Sequence, residues 1–397
     1  MILSQKALSI SESLTLSIDD KAKRMKADGF DIVGFGAGEP DFGTPDYIIQ
    51  AAKEALDKGI TKYTLSSGTP ELKKAICRKF ERDNHLLYTT NEIIVSNGAK
   101  HSLFNVFQAI LNPGDEVIIP KPYWLSYPEL VKVANGVSVF VETHEDNNFK
   151  ITIDDLKKAI TSKTKAFILN NPNNPNGCVY EEKELRDIAA LAVEKGFFIV
   201  SDEIYEELIY DGLKHISIAS LGEDIKALTI TVNGMSKPYA MTGWRIGFAA
   251  GPREVIEVMS HFQSHSTSNP NSVAQYASVV ALDAPKDFIK KMASEFSKRR
   301  LYMVEQINSM DHLSCKLPMG AFYIMMNISQ VFGKRHGDTV IDSSLSFSNA
   351  LLDTKMVTVI PGIAFGSDSY VRLSYATSME NITKGLKRIE EFMKELV

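Results

Sequence analysis

From about residue 90 onward, short runs rich in β-branched residues alternate with longer stretches in which apolar residues recur every three to four positions. EIIVS (92–96), EVIIP (116–120), KAFILNN (165–171), FFIVSDE (197–203) and ALTITVNG (227–234) read as strands. Between the first two, Leu103, Val106, Phe107 and Ile110 share a helical face that closes at Asn112-Pro113-Gly114. Glu181 to Lys195 predicts another helix, with Leu185, Ile188 and Ala192 on one face and Gly196 placed to end it. This order predicts an α/β fold with a largely parallel sheet. In such sheets ligands bind in the crevice beyond the carboxyl ends of the strands, so the polar residues just after these runs are the candidates for chemistry.

After about residue 285 the pattern changes to long charged helices, Pro285 to Met310 and Asn381 to Val397, around the short apolar stretches Ala321 to Met326 and Val357 to Pro361. This predicts a smaller α+β domain over 286–397, a large domain over 46–285, and an N-terminal arm over 1–45 that packs with the small domain or against a neighbouring subunit.

The 397 residues, 44% hydrophobic and 23% charged, describe an ordinary globular protein with a sizeable core. The formal net charge of −5, with dispersed Lys and Arg, argues against a nucleic-acid partner. Cys77, Cys178 and Cys315 stand far apart in no metal or disulfide spacing, which fits a reducing compartment. No continuous apolar segment of a secretory signal or a membrane span occurs, and a cytoplasmic location is expected.

Several motifs fail on inspection. Gly34-Phe-Gly36-Ala-Gly38-Glu39-Pro40 has glutamate where a dinucleotide fingerprint needs glycine, and no GxxxxGK[ST] is present. His261 and His265 have helical spacing but lack the glutamate of HExxH, so no metal site is expected. Gly234-Met-Ser236-Lys237-Pro238 lacks the second glycine of a serine-hydrolase elbow.

One constellation succeeds. Ser236-Lys237 is followed by Ala240, Gly243, Arg245, Ile246 and Gly247, in a glycine-punctuated loop after an apolar strand. The segment resembles the cofactor-attachment signature of class I pyridoxal-phosphate aminotransferases, of the bacterial aspartate aminotransferase type. The resemblance implies a type I pyridoxal-phosphate-dependent transferase fold. It also implies that Lys237 forms a Schiff base with the cofactor and that Arg245 grips its phosphate, roles suited to lysine and arginine chemistry. Gly234 departs from the serine many relatives carry, and the resemblance then implies either that Ser236 takes over part of that role or that the phosphate has one ligand fewer.

The same resemblance extends to other positions. Asp202 and Tyr205 in SDEIYEEL match the aspartate that faces the pyridine nitrogen and the tyrosine that donates to the phenolic oxygen. Glu203, Glu206 and Glu207 fit a solvated acidic helix start. Asn174, in Asn170-Asn-Pro-Asn-Asn174-Pro-Asn-Gly177, also reaches the phenolic oxygen by resemblance, although Asn176 replaces the usual threonine. Ser96-Asn-Gly98-Ala99-Lys100 links a strand to a helix start, an anion site to which the family assigns the amides of Ala99 and Lys100. Trp124 matches the aromatic stacked on the ring, and Tyr63 matches a tyrosine reaching the phosphate from the partner subunit, which implies a homodimer.

For the substrate, Arg372 in Tyr370-Val-Arg372-Leu-Ser matches the bidentate α-carboxylate clamp, and Gly38 supplies a backbone amide. Trp124 and Asn174 border the substrate as well. The partner-subunit arginine used by one aspartate aminotransferase branch is replaced by Ser264. The sequence instead resembles the branch that reads a distal carboxylate with a lysine and an N-terminal threonine, here Lys100 and Thr15. The implied reaction is ping-pong transfer from L-aspartate, or another L-amino acid, to 2-oxoglutarate, with Lys237 moving the proton. The alternatives are an aromatic or prephenate aminotransferase and a cysteine-sulfur lyase on the same fold.

Overall fold

The computed structural model describes residues 3–397. A seven-stranded sheet has the order Ile93–Ser96, Gly247–Ala250, Thr229–Gly234, Phe198–Asp202, Thr164–Asn170, Glu116–Lys121, Val137–Glu142. Gly247–Ala250 runs antiparallel to both neighbours, and every other pairing is parallel. Alternate side chains serve opposite faces, as strand geometry demands. Ile94, Val117, Ile119 and Ile168 pack with Leu103, Val106 and Phe107 of helix Ala99–Ile110, whereas Ile118, Phe167 and Leu169 pack with Leu185 and Ile188 of helix Glu182–Lys195. That second helix ends as expected at Gly196, whose φ of 72° suits a residue without a Cβ.

A second, antiparallel sheet joins Ile360–Pro361, Tyr370–Ser374, Tyr323–Asn327 and Ser314–Cys315. Val33–Gly34 pairs in parallel with Val357–Thr358, tying the N-terminal segment to this layer. Helix Met379–Glu395 is capped by Ser378 and buries Ile382, Leu386, Ile389 and Phe392 in the core behind the sheet. Each of these side chains stabilises the fold by about 1.5–3 kcal/mol. Helix Asp287–Asn308 bridges the two cores: Ile289 packs with the large-sheet cluster, and Met292, Phe296, Met303 and Ile307 pack with the other. Among the described residues no helix is long and apolar enough to cross a membrane.

The registers Asn170↔Asp202 and Asp202↔Val232 align the carboxyl ends of three parallel strands on one edge. There they face the second sheet, and the crevice between them holds the site.

Candidate active site

A cavity of about 550 Å³ occupies this crevice. At one end, Gly98 (φ 88°) turns the chain from strand to helix, and no side chain caps the helix Ala99–Ile110. The first-turn amides of Ala99 and Lys100 are therefore left to meet an anion. Arg245 lies over this turn, its Nη2 donating to the Asn97 carbonyl at 3.2 Å and its Nη1 to the Thr242 carbonyl at 2.9 Å. A Cβ at Gly98 would stand 2.2 Å from the Arg245 guanidinium, and one at Gly247 would stand 2.1 Å from the Ala99 nitrogen. The two glycines thus let an arginine and free amides converge, a donor set that fits a phosphate.

Deeper in, Asp202 ends its strand almost fully buried, accepting from Tyr127 Oη at 2.7 Å and from the Ile204 amide at 3.3 Å. Burial pushes its carboxyl up to about 6 despite those two donors. Asn170 organises the neighbouring turn: its Oδ1 accepts from the Asn174 amide at 2.7 Å, and its Nδ2 donates to the Asp202 carbonyl at 3.0 Å. Tyr205 is buried, with its hydroxyl 2.9 Å from that of Tyr323. Trp124 lies edge-on to Tyr127, ring centroids 5.3 Å apart.

Lys237 follows the strand Thr229–Gly234 and reaches into the cavity, where Nζ donates to the Gly38 carbonyl. Burial, reinforced by the charges of Arg372 and Arg245 and opposed by those of Glu39 and Asp202, depresses its ammonium to about 8. A lysine so tuned is partly neutral near pH 8, as a nucleophile or proton carrier must be. Glu39 is steadied by Thr242, whose Oγ1 donates to it at 2.6 Å.

Arg372 projects from the strand Tyr370–Ser374, 3% exposed. Nη1 donates to Asn174 Oδ1 at 3.1 Å and Nη2 to the Gly36 carbonyl at 3.0 Å, while Nε has no acceptor. Its guanidinium lies against the rings of Tyr323 (4.3 Å) and Phe365 (4.9 Å). Burial lowers its affinity for its proton, and among the described residues no carboxylate pairs with it. A buried cation without a counter-ion is costly to keep, and an anionic ligand removes that cost.

A sequence model of aminotransferases of classes I and II matches residues 31–389. The chain belongs to the class I and II aminotransferase family. It is an aminotransferase and is similar to the aspartate aminotransferase of Bacillus sp. (strain YM-2), at 49% identity over 99% of each chain. It is also 43% identical to the aspartate/prephenate aminotransferase of Nitrosomonas europaea, over 99% of this chain and 100% of that one. The solved aspartate aminotransferase of Thermus thermophilus with maleate superposes with a TM-score of 0.93 at 42% identity, covering 99% of this chain and 100% of the other.

In this aminotransferase the cavity gathers Thr15, Gly38, Ala99, Lys100, Trp124, Asn174, Asp202, Tyr205, Ser236, Lys237, Arg245 and Arg372. Tyr63 does not line it; its side chain is 91% exposed on the protomer surface. Lys100 Nζ lies 5.0 Å above the Trp124 ring, and burial followed by the charge of Arg245 lowers its pKa. Ser264 is exposed on helix Arg253–Ser266. Sequence reasoning missed Tyr127, Tyr323, Glu39 and Asn170, all of which border the cavity.

One reading is corrected. Residues 203–207 form no solvated helix start but a turn in which Glu203 is 1% exposed. Glu203 accepts from Ser201 and Ser217 at 2.9 and 2.7 Å and meets His215 Nε2 at 3.0 Å. Glu206 pairs with Lys79 and accepts from Asn84 and Asn233 at 2.8 and 2.7 Å, and Glu207 pairs with Lys286. Local sequence reads as acidic and solvated, whereas the neutralising cations come from distant segments. This buried polar network is adjacent in sequence to Asp202 and Tyr205.

Proposed function

We propose that the chain is a pyridoxal-phosphate-dependent aspartate aminotransferase that moves the amino group of L-aspartate to 2-oxoglutarate by a ping-pong sequence. The observation that carries this reading is the shared cavity of Lys237, depressed to about 8, and Arg372, a buried guanidinium without a carboxylate partner among the described residues. The convergence of Arg245 with the amides of Ala99 and Lys100, with Ser236 nearby, supports a phosphate there. Asp202 supports a carboxylate for the pyridine nitrogen, Tyr205 and Asn174 two donors for the phenolic oxygen, and Trp124 an aromatic face for the ring.

When bound, pyridoxal phosphate supplies an electron sink for the charge left at Cα as its proton departs. Arg372 binds the α-carboxylate of the amino acid and Gly38 offers its amide beside it, so that Cα is held near Lys237. Lys237 Nζ takes the proton from Cα of the amino donor and, in the second half-reaction, gives one to Cα of the acceptor oxo acid, a two-way exchange suited to a nitrogen depressed to about 8. Lys100 and Thr15 border the same cavity and are assigned to the distal carboxylate. The similarity to a protein solved with maleate, a four-carbon dicarboxylate, supports that assignment.

The active unit is a homodimer in which Tyr63 serves the partner's site, a reading supported by its exposure and by that of nearby Leu65 (61%). Three free cysteines, two of them buried, support a cytoplasmic setting. The test is a single-turnover reaction of the pyridoxal-phosphate-loaded protein with aspartate, scoring oxaloacetate and ammonia. Stoichiometric oxaloacetate with the nitrogen retained on the protein is the expected result. Release of ammonia would identify a lyase instead.

A further inference from the structure

Tyr323 is 1% exposed, borders the cavity and touches two residues assigned to different tasks. Its hydroxyl lies 2.9 Å from that of Tyr205, the only hydrogen bond it makes among the described residues, and its ring centroid lies 4.3 Å from the Arg372 guanidinium carbon. Arg372 in turn donates to Asn174 Oδ1 at 3.1 Å. Asn174, Arg372, Tyr323 and Tyr205 therefore form one continuous chain of contacts around the cavity.

The strand register explains the placement. Tyr323 pairs with Ser374 and Met325 with Arg372 in antiparallel strands, which brings the tyrosine ring diagonally against the guanidinium. The Phe365 ring also lies 4.9 Å from the guanidinium carbon, so the arginine meets two rings and two acceptors.

We propose that Tyr323 is a positioning residue that joins the α-carboxylate clamp to Tyr205, its ring carrying Arg372 and its hydroxyl donating to Tyr205. A phenol that gives its proton to an acceptor in the cavity can accept from its neighbour, and accepting makes it a stronger donor. Tyr323 thus strengthens what Tyr205 donates, while its ring sets where a carboxylate meets Arg372. The inference rests on the proposed pyridoxal-phosphate site, because it is the phenolic oxygen of that group that Tyr205 would meet.

The experiment uses the cofactor-loaded protein and two readouts other than turnover: the pH midpoint of its visible absorbance and the dissociation constant of maleate. Donors at the phenolic oxygen stabilise the deprotonated form, so weakening one raises the midpoint. Tyr323→Phe is expected to raise it by roughly half a pH unit while leaving maleate affinity within about twofold, because the ring over Arg372 remains. Tyr323→Leu removes the ring and is expected to weaken maleate by about fivefold or more. Tyr205→Phe should shift the midpoint further, and adding Tyr323→Phe to it should change nothing more, since Tyr323 acts through Tyr205.

An unmoved midpoint in Tyr323→Phe, additive shifts in the double variant, or equal loss of maleate affinity in the Phe and Leu variants would each overturn the proposal. A wild-type protein with no pH-dependent visible band would overturn the cofactor reading itself, and this inference with it.

Discussion

Replacing Asp202 with asparagine separates what the carboxylate costs the fold from what it gives the site. Its carboxyl is raised to about 6 from an ordinary value of 3.8, chiefly by burial. A rise of about two units corresponds to about 3 kcal/mol that the folded, ligand-free protein forgoes at pH 7.5 by carrying a buried charge. The sign follows from proton counting: between pH 4 and 6 the folded state holds the proton more tightly than the unfolded state, so this group's contribution to stability falls as pH rises through that window. Asparagine carries no charge and escapes the penalty, but it replaces one acceptor with a donor beside Tyr127 Oη and the Ile204 amide, costing about 1 kcal/mol. The ligand-free Asp202→Asn protein should therefore be about 2 kcal/mol more stable than wild type at pH 7.5, with the advantage falling to about 0.5 kcal/mol at pH 5. Urea unfolding at matched protein concentration measures both values. With pyridoxal phosphate bound the order should reverse, and turnover should fall strongly, because an unprotonated pyridine withdraws electrons poorly. An asparagine variant whose stability difference from wild type does not change between pH 7.5 and 5 would refute the reasoning.

Two further predictions concern substrate recognition and assembly. Arg372→Ala should reduce kcat/KM for every amino donor by about 2–4 kcal/mol, whereas Lys100→Ala should cost about 1–3 kcal/mol with aspartate and glutamate and spare alanine and aromatic donors; equal losses across donors would remove Lys100 from distal-carboxylate binding. Mixing an inactive Tyr63 variant with an inactive Lys237 variant should restore part of the activity through hybrid dimers, and a fully active monomer would contradict that.

Much of the large sheet is legible because its central strands are continuous apolar runs covered on both faces. Thr229–Gly234, inside the sheet, is buried throughout, and so is Ile93–Ser96 although it lies at an edge. Two strands escaped for physical reasons. Val137–Glu142 is an edge strand with Val137 and Phe140 exposed, and Gly247–Ala250 is short, antiparallel and without β-branched residues. The strand pattern pointed only to the polar residues beyond strand ends as a group, and it was the family resemblance that singled out Asp202, Asn174 and Lys237 among them. Tyr127 and Tyr323 did not stand out, since an aromatic on a helix face or in an apolar strand reads as core. Tyr127 meets Asp202 from 75 positions away and Tyr323 meets Tyr205 from 118, separations that no local pattern reveals. The same holds for Glu203 and Glu206, whose burial is compensated by His215 and Lys79.

The most direct test is chemical trapping of the lysine. The protein loaded with pyridoxal phosphate is reduced with borohydride, digested and mapped. The cofactor should be fixed irreversibly to the peptide containing Lys237, with Lys237→Ala binding cofactor reversibly and showing no turnover. Cofactor that remains removable after reduction, or a label on a peptide without Lys237, would contradict the assignment.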